Sequence, residues 1–424
     1  MANDHKSDFI VRATETLREN PDFIAKLNVC VARILQLKKD LGLFELPYAD
    51  PQLASIVGSA QDIEAARNVV RESVALLKNR NNVLPLKLTE RVLFLGPTLN
   101  STRYMGGGWN VHWQGPSENE GDEVYQGFGD TILEGVQEIT GCEPLYFKGV
   151  DIDRDELIDI SAIVKAAKKV DKILIGLGEK TYAGMEGKID NLKLPPNQLD
   201  IVYTIARATH KPIVVVVVGG RPRLLERVAD IADGIVQAYL PGIYGGLPIA
   251  EILYGKVNPS GRLPYTYPTT KAQVLATIWN TARGDYKLQW EFGYGIGYSH
   301  VEHTNFTLSS KLLTLARSIT VSVRITNHGP YPQKELVFLF TSQPSIENKN
   351  IYPHYLRMFA KVKLRVNETK NIVFELRAED LVFWATDSKQ TIGPALVLVA
   401  INPYTQQDIK AEVTLDVGAD AAFA

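Results

Sequence analysis

From about Arg91 to Val236 the sequence alternates short apolar runs with stretches of helical character. The runs "RVLFLGP", "KILIGLGE", "PIVVVVVGG" and "ADGIVQAYLPG" are rich in β-branched residues, and helical patterns of about 10 to 15 residues separate them. Strands buried on both faces and joined by helices form mainly parallel sheets in layered α/β domains. We therefore predict the α/β fold class here. Each run ends in glycine or a polar residue, which indicates binding loops at the strand ends.

After residue 310 the apolar pattern changes to a period of two. It is visible in "RSITVSVRITNHG", "KELVFLFTSQ", "FAKVKLRVNETKNIVFEL", "PALVLVAINP" and "DIKAEVTLDV". Several short alternating strands bounded by turn residues are typical of an antiparallel β-sandwich. The connection before it is irregular and aromatic-rich, and it contains "WEFGYGIGYSHVEHTNF".

The N-terminal part is helical in pattern. Residues 7 to 42 carry helix signals almost throughout, with apolar positions such as Leu27, Val31 and Leu35 on one side and Gly42 as a stop. After "ELPYADPQL" a second helix is predicted over "SAQDIEAARNVVRESVALLKN". Both helices need a surface to pack on, because their apolar residues lie on one side.

Charge and cysteine usage exclude several classes of function. With 46 Lys and Arg against 48 Asp and Glu, the net charge is -2, so no field attracts nucleic acid or an anionic membrane. Cys30 and Cys142 are too far apart in sequence for a zinc cluster or a disulfide framework. The first residues lack the apolar core of a signal peptide, and no apolar run approaches the roughly 20 residues of a membrane helix.

The motifs for common cofactors are also absent from the sequence. No G-x-G-x-x-G opens a helix, and "GLGEKT" lacks the upstream glycine of a phosphate-binding loop. His300 and His303 form an isolated pair, which more often serves packing or hydrogen bonding than metal binding. No serine lies in a G-x-S-x-G elbow. We expect no cofactor and no metal.

Two stretches remain as candidate sites. In "MGGGWNVHWQG", residues 105 to 115, glycines allow close backbone approach, and Trp109 and Trp113 offer indole faces that stack on pyranose rings. Residue types alone favour the alternative that both tryptophans are core residues. In "GEKTYAGMEGKID", residues 178 to 190, Glu179, Glu186 or Asp190 is a candidate for proton transfer. The alternative there is a solvated loop with ordinary surface charges.

Taken together, these motifs resemble the C-terminal half of glycoside hydrolase family 3, the β-glucosidase and exo-glucanase family. The resemblance runs in order through "ARNVVRESVALLKNRNNVLPLK", "GGGWNVHWQG", "GLGEKTYAGMEGKIDNLKLPPNQ", "GGRPRLLERVADIADGIVQAYLPGIYGGLPIAEILYGKVNPSGRLPYTYP", "FGYGIGYSHVEHTNF" and "VSVRITNHGP". It implies a (β/α)8 barrel, an α/β sandwich domain and a fibronectin type III-like domain, in that order.

The resemblance assigns only the last two of these domains to this chain. Residues 1–50 resemble the end of the barrel and a linker, 51–270 the α/β sandwich, 271–310 the connection and 311–424 the fibronectin type III-like domain. The nucleophile that the family carries in a Ser-Asp-Trp type motif on the barrel has no counterpart, since Ser7-Asp8 is followed by Phe9. We expect a fragment, a split-gene product or the partner of a separately encoded barrel.

The family's acid/base position is also changed. Aligned on Glu179 and Tyr182, the catalytic glutamate of the family falls on Gly184. Glu186 is then the displaced substitute, Glu179 a structural loop acid and Asp190 a neighbour of the following helix. By the same resemblance, Trp113 matches the tryptophan that clamps the sugar beyond the scissile bond, and Trp109 matches its packed or binding companion. The last residue of "GRPR" departs from the family pattern, and we expect this departure to have no effect on function.

The resemblance implies part of a retaining β-glucosidase-type hydrolase of β-glucosides or β-glucan oligosaccharides. Because retaining hydrolysis needs two carboxyl groups, we expect the chain to be inactive without a barrel. The alternative is a non-catalytic carbohydrate-associated structural or binding protein derived from the family. Members of the family are often extracellular or lysosomal.

Overall fold

The computed structural model describes residues 6–271, 288–343, 355–384, 390–402 and 409–417. The chain divides into two compact units, Met1–Ile63 and Glu64–Ala424. In the described part of the chain, no helix combines the length and the hydropathy needed to cross a bilayer.

The first unit contains helices α1 (Lys6–Glu19) and α2 (Phe23–Asp40). The helical stretch predicted over residues 7 to 42 is therefore interrupted, and the break contains Pro21, which cannot donate an amide hydrogen bond to a continuing helix. Gly42 has φ +67° and follows the end of α2, as the sequence predicts. No residue of α2 is buried, and its apolar side is exposed at Leu27, Val31, Ile34, Leu35 and Leu37.

The second unit begins with an α/β domain. Its strands, in chain order, are β1 (Ala75–Asn79), β2 (Val92–Leu95), β3 (Leu145–Phe147), β4 (Val150–Asp151), β5 (Glu156–Leu157), β6 (Lys172–Gly178), β7 (Ile213–Val218) and β8 (Gly234–Tyr239). The helices that follow α2 are α3 (Ala60–Ser73), α4 (Thr102–Gly106), α5 (Ile132–Thr140), α6 (Ile160–Ala167), α7 (Pro196–Ala208), α8 (Val228–Ile231) and α9 (Gly246–Leu253).

The main sheet has the strand order β1-β8-β7-β6-β2-β3, while β4 and β5 form a separate ribbon. Every neighbouring pair in the main sheet is parallel except β1 and β8. Alternate residues of β7 enter two different cores, Val215 and Val217 on one face and Val214 and Val216 on the other. Burial on both faces is what the unbroken valine run requires, and the predicted α/β class with a mainly parallel sheet is confirmed.

The predicted second helix is wrong over its last residues. Helix α3 ends at Ser73, and Ala75–Asn79 is instead the antiparallel edge strand β1, paired with β8. Ala75, Leu76 and Leu77 are all buried. A run that is buried on both sides gains more from pairing with the edge of the sheet than from continuing a one-sided helix.

The β-sandwich follows the connection, of which residues 272–287 lie outside the described residues. Two sheets, in the orders β10-β18-β17-β12-β13 and β14-β11-β9, enclose a common core. The strands are β9 (Val301–Leu308), β10 (Leu312–Thr314), β11 (Ile319–Asn327), β12 (Gln333–Ser342), β13 (Tyr355–Leu364), β14 (Thr369–Leu376), β15 (Phe383–Trp384), β16 (Gln390–Thr391), β17 (Ala395–Ile401) and β18 (Ile409–Asp416). Strand β11 shows the predicted alternation, with Ile319, Val321, Val323 and Ile325 all buried.

Candidate functional site

Three loops meet at one edge of the main sheet. Strands β2, β6 and β7 are parallel neighbours, so the segments beyond their carboxyl ends lie side by side. The tryptophan loop, residues 107–116, follows β2 by way of α4. The acid loop, residues 179–191, follows β6, and the arginine loop, residues 219–223, follows β7.

The tryptophan loop presents two indole rings to solvent. Trp109 is 73% exposed and Trp113 is 59% exposed, so the alternative that both are core residues is wrong. Their ring centroids lie 5.9 Å apart at an interplanar angle of 61°. The Trp109 amide donates a hydrogen bond of 2.8 Å to the Trp113 carbonyl, which closes the loop and fixes the pair. Exposed indoles held in a fixed geometry form a platform for a flat apolar ligand face.

Glycine allows the tryptophan loop to pack directly on the acid loop. A Cβ at Gly108 would lie 2.0 Å from the Tyr182 carbonyl oxygen, which no side chain could tolerate. The two loops are also joined by hydrogen bonds, 2.6 Å from the Ala183 amide to Gln114 Oε1 and 3.1 Å from the Thr181 hydroxyl to the Pro116 carbonyl. The tryptophan platform is therefore positioned by the acid loop.

This packing brings Gly184 next to Trp113. A Cβ built at Gly184 would lie 3.6 Å from Trp113 Cζ2, an ordinary van der Waals distance, and no other atom is nearer. Gly184 is exposed and has φ +56°, a conformation that glycine adopts without strain. Space for a side chain beside the indole is thus present, but the residue there carries none.

Glu179 is buried and fully engaged. Its carboxylate lies 2.7 Å from the Arg221 guanidinium and 2.8 Å from that of Arg223, and it accepts the Arg221 amide at 3.0 Å. Arg221 also covers the Tyr182 ring, 4.1 Å from its centroid. Burial raises the pKa of the Tyr182 phenol. With two cations against one carboxylate, Glu179 joins the acid loop to the arginine loop and is shielded from any ligand.

Glu186 and Asp190 lie on the exposed side of the acid loop. Glu186 ends a short 3₁₀ turn, Gly184–Glu186, and its amide donates to the Ala183 carbonyl at 3.4 Å. In the part of the chain that the structure describes, no ion pair involves either carboxylate. Of the three acids in this stretch, Glu186 is therefore the one that is both close in sequence to Gly184 and open to solvent.

Arg223, the last residue of "GRPR", has a structural role that the sequence analysis did not predict. Arg223 is 9% exposed, pairs with Glu179 and donates to the Lys193 carbonyl at 2.9 Å. Its own carbonyl accepts the hydroxyl of the fully buried Tyr267 at 2.5 Å. The signal available in the sequence was the second arginine of "GRPR", which follows a glycine pair. A buried carboxylate needs compensating positive charge, and a second arginine near Glu179 can supply it.

Other candidate positions do not join this edge of the sheet. The His300 ring stacks on that of His328 with centroids 5.7 Å apart, whereas His303 lies 3.7 Å from Glu335. Among the described residues, no group of three His, Cys, Asp or Glu side chains could hold a metal ion. Cys30 and Cys142 are free and exposed.

The fold and the site define a class of protein, an α/β sandwich domain joined to a β-sandwich, with a tryptophan platform at the carboxyl edge of the parallel sheet. Residues 74–298 match the glycosyl hydrolase family 3 C-terminal domain, and residues 335–401 match the fibronectin type III-like domain. The chain belongs to glycoside hydrolase family 3. The family and the domain types implied by the sequence motifs are confirmed.

Two curated relatives are β-glucosidases. The lysosomal beta glucosidase of Dictyostelium discoideum is 35% identical over 404 residues, which cover 89% of this chain and 48% of the relative. The periplasmic beta-glucosidase of Salmonella typhimurium is 29% identical over 418 residues, covering 88% of this chain and 53% of the relative. The chain thus spans about half the length of the curated relatives it matches.

A solved structure shows the same likeness in three dimensions. The β-glucosidase of Listeria innocua, solved in complex with isofagomine, superposes with a TM-score of 0.81 at 26% identity, covering 96% of this chain and 58% of that one. The same Listeria enzyme was also solved in complex with glucose, and a mutant of it with laminaribiose.

Proposed function

We propose that this chain contributes the sugar-clamping loops of a retaining β-glucosidase-type hydrolase that acts on β-glucosides or β-glucan oligosaccharides. The observation that carries the proposal is the exposed pair Trp109 and Trp113, fixed against the acid loop at the carboxyl edge of the sheet. Trp113 stacks on the sugar beyond the scissile bond, and Trp109 extends the platform.

Of the two exposed acids in the acid loop, Glu186 is nearer in sequence to Gly184 than Asp190, so the proposal assigns the chemistry to Glu186. Glu179 is held by two arginines, and Gly184 has no side chain, so Glu186 is the local candidate for protonating the leaving oxygen. Its backbone lies two residues beyond the position next to Trp113. Because a misplacement of about 1 Å can cost a hundredfold in rate, we expect Glu186 to be a weak acid/base.

A second carboxyl group has to come from a (β/α)8 barrel. In retaining glycosidases the nucleophile and the acid/base lie about 5 Å apart. Within this proposal the barrel carries the nucleophile, and a separately encoded barrel chain is a partner that the proposal allows. The exposed apolar side of α2 supports such a neighbour, since leucine, isoleucine and valine side chains in a row gain from being covered.

The test is complementation with a barrel. The full chain is mixed with a family 3 barrel domain and assayed on aryl β-glucosides with good and poor leaving groups. We expect turnover that Glu186→Gln abolishes for poor leaving groups, because only these need protonation. Asp190→Asn is the matched control and should leave the rate unchanged. Unchanged rates in Glu186→Gln would remove Glu186 from the mechanism.

The second candidate function is carbohydrate binding without catalysis, which the bare Gly184 position favours. In that case the chain binds β-glucan oligosaccharides through the tryptophan platform and stays inactive with every barrel. Oligosaccharide binding that Trp113→Ala removes, together with no turnover in the complementation assay, would decide for this function.

A further inference from the structure

A cavity lies between the α/β domain and the β-sandwich. It has a volume of about 600 Å³, within the range of small-molecule pockets. Its walls come from the Arg262 region of the α/β domain, the connecting residues 292–301, and strand β12 with Asn402 from the β-sandwich. None of the tryptophan, acid or arginine loops contributes to it.

One wall of the cavity is a cluster of three phenylalanine rings. The centroid of Phe292 lies 6.0 Å from that of Phe338 and 6.2 Å from that of Phe340, and Phe338 and Phe340 are 6.0 Å apart. Phe338 and Phe340 belong to β12 and are almost fully buried, whereas Phe292 belongs to the connection and is half-buried. Phe292 is therefore the ring of this cluster that is most accessible from the cavity.

The polar part of the lining carries balanced charge. Arg262 lies 3.1 Å from Glu335, and each side chain is 9% exposed. Glu335 also faces His303 at 3.7 Å, and His303 contacts Asn402 at 3.3 Å. Because the guanidinium and the carboxylate offset each other, this wall does not select a charged ligand. It offers hydrogen-bond donors and acceptors together, which suits hydroxyl groups that do both.

Gln333 adds a specific feature to the polar side. The residue is 2% exposed, and its Oε1 has no hydrogen-bond partner in the part of the chain that the structure describes. A buried acceptor without a partner is destabilising, and a ligand hydroxyl would remove that penalty once the amide turns toward the cavity. Gly297 packs against this oxygen, and a Cβ at Gly297 would lie 2.3 Å from it.

We propose that this interdomain cavity binds one neutral sugar ring, with its C–H face on Phe292 and its hydroxyl groups on Arg262, Glu335 and Gln333. The ligand class is taken from the cavity walls, so it does not depend on the catalytic role of the acid loop. An accessible aromatic ring together with balanced donors and acceptors is a combination that recognises a pyranose.

The test separates this site from the tryptophan platform. Glucose is titrated by calorimetry at millimolar concentration into the full chain carrying Trp113→Ala, which removes the platform. We expect binding to persist there. Adding Phe292→Leu or Gln333→Met to that variant should weaken it about tenfold, equivalent to about 1.4 kcal/mol. Phe359→Leu is the matched control, since Phe359 is 66% exposed and does not line the cavity.

Two results would overturn the proposal. One is the loss of all glucose binding in Trp113→Ala. The other is binding that persists but is unaffected by both cavity substitutions. Gln333→Met keeps the side-chain length and removes an unpartnered acceptor, so the test stands even if Phe292→Leu disturbs folding. A negative result in this binding test would not bear on the proposed function, because the barrel complementation assay measures turnover and not binding to this cavity.

Discussion

The two halves of the acid loop differ sharply. Residues 179–183 are anchored by the Glu179 ion pairs, the Tyr182 and Arg221 contact and the hydrogen bond to Gln114. Residues 184–190 are mostly exposed. The anchored half holds the tryptophan platform in place, and the exposed half carries Gly184 and Glu186, whose catalytic roles are predictions from the motif alignment. The comparison teaches that one loop can combine a buried, ion-paired anchor with a solvent-exposed acid segment.

Removing the anchor should have the largest effect. Glu179→Gln leaves two buried guanidinium groups without a counter-charge, so we expect the free energy of unfolding of the α/β domain to fall by about 3 kcal/mol. Denaturant unfolding measures this change. Glu186→Gln, in the exposed half, should change the same quantity by less than about 0.5 kcal/mol. Equal losses in the two variants would contradict the difference between the halves.

Separating the two loops should have the next largest effect. Gly108→Ala places a Cβ against the Tyr182 carbonyl oxygen, and overpacking of this kind costs about 1 to 3 kcal/mol. We expect faster proteolysis within the tryptophan loop, measured by limited digestion. Gly393→Ala, where a Cβ meets nothing within 4 Å, is the control. If both variants resisted digestion like the parent chain, the close packing of the loops would be disproved.

A single hydrogen bond between the loops should matter less. Gln114→Ala removes the acceptor of the buried Ala183 amide, a loss of about 1 kcal/mol. Hydrogen exchange of that amide should become faster. Gln126→Ala, at an exposed glutamine, should leave it unchanged. No change in either variant would show that the loops are held by other contacts.

The stability of the β-sandwich should depend on pH through His303, which does not belong to any of the three loops. Burial lowers the pKa of His303, which faces Glu335, Arg262, His300 and Asn402. The unfolded chain therefore binds a proton first as the pH falls below about 6.5, and stability decreases there. Thermal unfolding between pH 7.5 and pH 5, as approximate limits, should show this loss.

The matched variant for that measurement is His303→Gln, in which the decrease should be smaller. An unchanged decrease would assign the pH dependence to other groups. His210→Gln, at an exposed histidine of the α/β domain, is the control and should keep the parent's decrease.

Much of the fold could be predicted, because periodicity is a local property. The valine run of β7 and the alternation of β11 each specify the burial of their own faces. Strand β1 could not be distinguished from the end of a helix in the sequence, because a short apolar run is compatible with both. It forms a strand because it pairs with β8, a contact that is distant in sequence. The sequence order of elements was therefore more predictable than the exact point where one element ends.

The site was less predictable than the fold. Glu179 pairs with Arg221 and Arg223 because β6 and β7 are neighbours in the sheet. A local sequence pattern does not predict which strands are neighbours. The exposure of Trp109 and Trp113 also opposed what residue types favoured. In contrast, the motif alignment predicted that the family's acid/base position falls on Gly184, and the structure finds that residue beside Trp113. The roles of Glu186, Trp113 and Trp109 stay predictions.

The most direct test of the role proposed for Glu186 is the activity of the purified 424-residue chain alone on an aryl β-glucoside with a good leaving group. Retaining hydrolysis needs a nucleophile as well as an acid/base, and the proposal assigns the nucleophile to a barrel, so the account predicts no turnover above that of the Glu186→Gln variant. Turnover by the chain alone that Glu186→Gln abolishes would contradict it.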